Sequence, residues 1–240
     1  MNPLETTTES RDRERLTCLL RKTLPEARTE VRALDLCPAI RLHLVEPDNM
    51  DRAFSPDEVR SILKNTPYWA FCWAAGHALA ALLLENPALC RGRRVVDVGA
   101  GSGVAAVAAA MAGAREVTAC DLDGDALEAV LANGRLNGVE LEVCRSLEEV
   151  GGTADLLLAS DLLYDRENRP LLEAFPRLAS RVLVAESRMR IDETLGYRRV
   201  HGMEADTLPD LGESEAFRRV GFYSPRSGSW FSSFTGAGRS

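Results

Sequence analysis

Three glycines at alternate positions, with an acid twenty residues further on, are the first residues here that could do chemistry. Val95-Val96-Asp97-Val98-Gly99-Ala100-Gly101-Ser102-Gly103-Val104 is an apolar, β-rich run that turns through Gly99, Gly101 and Gly103 into an alanine-rich stretch. Glycine permits the tight turn, and without a Cβ it lets a ligand lie against the backbone. The loop opens a helix, whose first free amides favour a negatively charged group. Asp121 closes the next apolar run, where a carboxylate can accept hydrogen bonds from both hydroxyls of a ribose. The segment therefore suits a nucleoside with an anionic or zwitterionic tail. A dinucleotide loop would read G-x-G-x-x-G, and its third glycine is replaced by Val104, which counts against NAD. The plain alternative is a tight βα turn with no ligand, and Asp97 reads alternatively as a buried acid capping local amides.

A second acid stands in a comparable place. Ala154-Asp155-Leu156-Leu157-Leu158-Ala159-Ser160-Asp161-Leu162-Leu163-Tyr164-Asp165 puts Asp161 just past the carboxyl end of an apolar run, where open α/β sheets bind ligands. A carboxylate there can hold an amine by its N–H, and the Tyr164 ring can attract an ammonium group. The alternative is structural, with Asp161 capping the turn and Tyr164 packing on the sheet edge.

The elements that must position these groups follow from the alternation of short β-rich runs with longer helical stretches. Strands are expected at Arg94–Val98, Glu116–Cys120, Glu140–Cys144, Ala154–Ser160 and Arg181–Ala185. Helices are expected at Val104–Ala112, Asp125–Asn137 and Arg166–Ala179, with a short crossover near Leu147–Val150. Right-handed crossovers make this a doubly wound, mostly parallel sheet. Arg199–Ala205 and Phe217–Tyr223 add a terminal antiparallel pair, for seven strands in all. Upstream, Ser55-Pro56-Asp57-Glu58 is a capping box for a helix to about Lys64, and Trp69–Leu84 reads as a mostly apolar helix. Residues 1–66 form an N-terminal extension, expected to be disordered to about residue 15 and then helical over Leu16–Leu24. The catalytic domain is expected at 67–223, and 224–240, rich in Ser and Gly, as a flexible tail.

Composition narrows the classes of function. The 240 residues are 45% hydrophobic, enough for one core, and the formal net charge of −7 repels a polyanion, so no nucleic-acid partner is expected. No apolar run approaches the roughly 18 residues of a membrane span. The six cysteines are scattered without a C-x-x-C pair and read as buried thiols of a reducing compartment, so a cytoplasmic protein is expected. His43, His77 and His201 are isolated and lack metal-ligand spacing, so no metal is expected.

The G-x-G-x-G loop with Asp97 before it and Asp121 after it resembles motifs I and II of class I S-adenosylmethionine methyltransferases. Pro67-Tyr68-Trp69-Ala70-Phe71-Cys72-Trp73-Ala74-Ala75-Gly76-His77-Ala78-Leu79, with Asn86-Pro87, Cys120-Asp121-Leu122-Asp123 and Asp161–Asp165, is similar to a narrower group. That group is the lysine methyltransferases of the electron-transfer flavoprotein β subunit, together with bacterial relatives often termed nicotinamide N-methyltransferase-like. The resemblance covers about Leu36 to Leu183 and weakens beyond Arg188; Gly124 stands where the group commonly has Pro or Ala. It implies a Rossmann-like fold and S-adenosylmethionine as cofactor. Trp73 and Gly76 would lie against that cofactor, as would Asp97, Gly99, Gly101 and Gly103. Asp121 with Leu122 would hold the ribose, and Leu147 would flank the adenine. Asp161, on the cofactor's edge, would face the target with Tyr164 and Asp165.

Methyl transfer from a sulfonium is an in-line displacement, which needs a neutral amine held in line with the methyl carbon. The acceptor implied is a protein lysine, with the electron-transfer flavoprotein β subunit as candidate; a small-molecule amine or pyridine is the rival. Base methyltransferases carry Asn/Asp-Pro-Pro-Tyr at this strand end, and Leu162-Leu163 replaces both prolines. An oxidoreductase and a binding protein without turnover are the readings from other classes.

Overall fold

The computed structural model describes residues 3–49, 53–226 and 230–233. Helix α1 (Pro3–Leu20) leads into a hairpin of β1 (Thr29–Ala33) and β2 (Arg41–Val45), followed by α2 (Pro56–Lys64) and α3 (Ala74–Glu85). Then come β3 (Arg94–Val98), α4 (Val104–Met111), β4 (Glu116–Cys120), α5 (Gly124–Leu136) and β5 (Glu142–Cys144). The chain continues through β6 (Leu156–Ser160), α6 (Leu171–Leu178), β7 (Val182–Glu186), β8 (Tyr197–Glu204) and β9 (Arg219–Pro225).

Seven of these strands form one sheet in the order β5-β4-β3-β6-β7-β9-β8. The first five are parallel, and β9 pairs antiparallel with both β7 and β8. Parallel strands are covered on both faces, which is why β6 and β7 read as unbroken apolar runs. The chain leaves β3 toward β4 and β5, then returns to β6 on the other side. The crevice at the carboxyl ends of β3 and β6 is therefore the switch point, where such sheets bind ligands.

The expected doubly wound, seven-stranded, mostly parallel sheet is present, with β5 shorter than expected. The N-terminal region differs from expectation. α1 is one helix through residues expected to be disordered, because its last turns bury Leu16, Leu19 and Leu20 in a cluster with Ala126, Ala129 and Ala132 of α5. Each buried leucine is worth about 2 kcal/mol, which outweighs the polar composition of the preceding turns. Asp12 adds a two-pronged ion pair with Arg135 of α5.

The β1–β2 hairpin was not expected either. Asn133 and Asn137 of α5 hold β2 by its backbone: Asn133 accepts from His43 N, and Asn137 accepts from Arg41 N and donates to Arg41 O. At the other end, Phe231 is buried and Trp230 packs on the main core, so this part of the expected flexible tail is held; 227–229 and 234–240 lie outside the described residues.

α2 begins as its motif predicts, with Ser55 and Glu58 closing both halves of the capping box. The expected helix over Trp69–Leu84 is instead a single 3-10 turn, Tyr68–Ala70, and then α3 from Ala74 with Trp73 as its N-cap. Phe71 and Trp73 are extended because Cys72 pairs with Leu208, each backbone N–H donating to the other's carbonyl at 2.8 Å. Arg166–Ala179 likewise splits into a short turn and α6, with Pro170 between them. Among the described residues no helix is long and apolar enough to cross a membrane, and no group of three His, Cys, Asp or Glu could hold a metal ion.

Candidate active site

The three loop glycines all have positive φ, yet they do different work. A Cβ on Gly99 would come within 2.6 Å of Leu162 Cδ1, so this glycine lets the loop touch the turn after β6. A Cβ on Gly103 would meet Val130 at 3.0–3.3 Å, so here the missing side chain lets α4 pack on α5. Only Gly101 faces open space, with nothing within 4 Å of such a Cβ.

Asp121 stands at the end of β4 beside this opening. Its Oδ2 accepts from Gly101 N and its Oδ1 from Asp123 N, both at 2.9 Å. The carboxylate thus braces the loop while one lone pair on each oxygen remains for a ligand. Burial pushes its pKa up and the two amides pull it back. The next side chain, Leu122, is 81% exposed, an apolar surface next to an acid at the mouth of the crevice.

Asp161 is only 8% exposed and has a φ of 44°, a left-handed conformation that a non-glycine residue adopts at some cost. Its surroundings explain why it is held there. Oδ1 accepts from Ser187 N and from Ser187 Oγ, both at 2.8 Å, and Oδ2 accepts from Ala75 N at 3.2 Å. Asp161 therefore ties the β6 turn to the end of β7 and to the first turn of α3. Glu186 supports the same turn from below, its Oε1 accepting from Leu162 N and Leu163 N at 3.0 Å. Burial, and then the nearby Asp161 charge, push Glu186 up to about 8, so it is mostly protonated at neutral pH.

This turn presents Tyr164 to an aromatic cluster. The Tyr68 and Tyr164 ring centroids are 5.1 Å apart and the rings are 41% and 48% exposed. Trp73 lies 5.9 Å from Tyr68 and donates from Nε1 to the Tyr68 carbonyl at 2.9 Å. Burial pushes Tyr164 up to about 12, with Tyr68 and Asp121 adding to the shift, so the phenol stays neutral.

The family model of ribosomal protein L11 methyltransferase (PrmA) matches residues 78–164. The mouse electron transfer flavoprotein beta subunit lysine methyltransferase is 36% identical over 150 residues, 61% of this chain and 58% of that protein. Its human counterpart is 33% identical over 174 residues, 69% of this chain and 65% of that protein. A ribosomal protein L11 methyltransferase of Syntrophotalea carbinolica is 40% identical over 135 residues, 53% of this chain and 43% of that protein. The matched stretch thus spans less than two thirds of these relatives. In structure, SMU.776, solved in complex with SAH, aligns at a TM-score of 0.50 and 13% identity, covering 64% of this chain and 50% of its own.

The fold is that of a class I methyltransferase. Within it, Asp121 holds the Gly101 amide beside the exposed Leu122, and Tyr164 is exposed on the turn after β6. Other candidates have different surroundings. Asp97 is 1% exposed, and its Oδ2 accepts from Ala106 N in the first turn of α4; burial pushes it up to about 7. The Oδ2 contact is that of the helix-capping alternative, while Oδ1 is buried without a hydrogen-bond partner among the described residues. Gly76 is buried, and a Cβ there would stand 2.9 Å from Val104 Cγ1, so it serves the packing of α3 on α4.

Asp165 is exposed and caps the turn after it, accepting from Glu167 N at 2.9 Å. Leu147 opens a 3-10 turn beyond β5 and packs on the core cluster under β6 and β7. Cys18 is exposed, unlike the other five thiols, and Cys120 and Cys144 stand opposite one another on β4 and β5.

Sequence reasoning missed Ser187, Glu186, Tyr68 and Asn133. A signal existed for the first two, since both stand at or just past the carboxyl end of the strand next to β6. Tyr68 lies inside the aromatic block Pro67–Leu79 but was given no role of its own. Asn133 is fully buried, and its Nδ2 donates to Ser102 O in the glycine loop while its Oδ1 holds β2. Nothing in its local sequence marks that bridge.

Proposed function

We propose that this methyltransferase fold uses S-adenosylmethionine to methylate lysine side chains of a protein. The observations that carry the reading are the open space above Gly101 beside Asp121 and the exposed Tyr68–Tyr164 pair. The residues fit the cofactor: the Gly101 backbone has open space above it, the Asp121 oxygens retain lone pairs for ribose hydroxyls, and Leu122 is an exposed apolar wall beside them. Asp121 and Leu122 would hold the nucleoside, and Gly101 would lie against the amino-acid tail.

When bound, S-adenosylmethionine supplies a methyl carbon made electrophilic by the sulfonium. The chain's part is to place a neutral amine in front of it. Tyr68 and Tyr164 offer aromatic faces to a lysine side chain. Most of the acceptor capacity of Asp161 is taken by Ser187 and Ala75, so its role is to fix the turn that presents Tyr164. The exposure of both tyrosines favours an acceptor presented on a protein over a small molecule enclosed in a pocket.

Both sets of curated relatives are named for protein acceptors, which supports the same choice. The electron-transfer flavoprotein β subunit is the first acceptor to try. The test is incubation with methyl-labelled S-adenosylmethionine and a host lysate split into macromolecular and small-molecule fractions. Label on a protein band, absent with Gly101→Arg, is the expected result; label only among small molecules would replace the lysine reading with an amine one.

A further inference from the structure

Arg188 is a charged side chain that the proposed transfer does not use, yet it sits at the back of the aromatic cluster. Its guanidinium carbon lies 4.9 Å from the Trp73 ring centroid and 4.8 Å from that of Phe217. Its Nη2 donates to Glu213 Oε1 at 2.5 Å, and both side chains are only 21% exposed. Glu213 is fixed in turn by Thr207, whose Oγ1 donates to Oε2 at 2.9 Å. Phe217, Glu213 and Thr207 all belong to the connection between β8 and β9, which lies outside the residues 78–164 that the family model matches.

The contacts form a continuous chain. The β8–β9 connection holds Arg188, Arg188 covers a face of Trp73, Trp73 donates to the Tyr68 carbonyl, and Tyr68 packs on Tyr164. Arg188 also follows Ser187, the residue that holds Asp161, so one short segment braces both walls of the acceptor opening. A guanidinium suits this place because its flat faces stack on rings while its edge forks toward a carboxylate; a lysine ammonium could make the ion pair but could not stack.

We infer that Arg188 is a positioning residue for the methyl acceptor, holding Trp73, and through it the Tyr68–Tyr164 pair, against the connection between β8 and β9. The inference rests on the transfer reading above. It gives the connection between β8 and β9 a function: it forms the rear support of the acceptor site and so sets which acceptor fits.

The experiment compares wild type with Arg188→Ala, Arg188→Lys and Phe217→Leu. Three readouts are taken: initial rates against the labelled protein band, S-adenosylhomocysteine binding by calorimetry, and acrylamide quenching of tryptophan fluorescence. Arg188→Ala should raise the acceptor KM about tenfold and increase quenching, while S-adenosylhomocysteine affinity stays within twofold. Arg188→Lys should recover only part of the KM, and millimolar guanidinium should partly rescue Arg188→Ala but not Phe217→Leu. An unchanged acceptor KM, or a parallel loss of S-adenosylhomocysteine affinity, would overturn the inference. Should Arg188→Ala not fold, the same KM and quenching readouts on Phe217→Leu decide. Wild type that labels nothing overturns the transfer reading and this inference together, whereas labelling by wild type with unaltered variants overturns the inference alone.

Discussion

The two acids at strand ends, Asp121 and Asp161, look alike in sequence and differ in the structure. Asp121 braces a loop and keeps lone pairs toward an open crevice, beside a glycine with space above it and an exposed leucine. Asp161 is buried, bent into a left-handed conformation and bound by two other segments. The cofactor half of the opening is thus made mainly by backbone and one strand end, from residues close together in the chain. The acceptor half is assembled from four segments, around Tyr68, Asp161, Ser187 and Phe217, and its acid is spent on holding them together. A local half tolerates distant change, whereas an assembled half transmits it.

The largest effect that would break this contrast is on Gly101. Gly101→Arg should abolish S-adenosylhomocysteine binding in calorimetry while the melting temperature falls only slightly, since the side chain meets nothing and the strained φ costs about 1–2 kcal/mol. A comparable loss of fold would show that the opening is not open.

Asp161→Asn comes next. An amide nitrogen would replace one acceptor oxygen and face either Ser187 N or Ala75 N, at a cost of about 1–3 kcal/mol. Transfer should fall by at least tenfold and thermal stability by several degrees, with S-adenosylhomocysteine affinity nearly kept. Lost transfer with full stability would return Asp161 to direct contact with the acceptor.

Glu186 sharpens the comparison through pH. Its folded pKa, about 8, is raised above the ordinary carboxylate value, so the folded state keeps a proton that the unfolded chain has lost. Its contribution to stability is therefore present at low pH and lost as pH rises toward 8. Glu186→Gln mimics the protonated carboxyl, so melting curves from pH 5 to 9 should show the variant gaining on wild type with rising pH. A constant difference would mean that Glu186 is ionised throughout.

The smallest effect is expected at Asp165. As the exposed cap of one short turn, Asp165→Ala should cost about 1 kcal/mol or less and leave initial rates within twofold.

The same contrast explains what could be read before the fold was known. The glycine loop, its strand and Asp121 are legible because their geometry is local: an apolar run of strand length, a turn that only glycine permits, and a helix start. The βαβ alternation is legible for the same reason, and so is the Ser55 capping box. The break before α3 is not, since it depends on Cys72 pairing with Leu208 far along the chain. The work of Asp161 depends on Ser187 and Ala75, and that of Gly76 on Val104, so residue type alone could place them near a site but could not say whether they touch a ligand. The N-terminal helix was misread because its polar first turns precede apolar residues whose partners lie on α5 and other distant segments.

That last packing bears on time as well as shape. α1 and its following turn pair with α5 across 123 positions at Asp12–Arg135 and 103 at Lys22–Asp125. On a growing chain α1 emerges well before α5 and, beyond its Thr17–Thr29 bonds with β1, must wait for that helix to be covered. In the interval its leucine stripe is uncovered, and contacts so distant in sequence form late. This helix is therefore among the later elements to be secured, and Asn133 couples its arrival, through the β2 backbone and Ser102, to the final setting of the glycine loop.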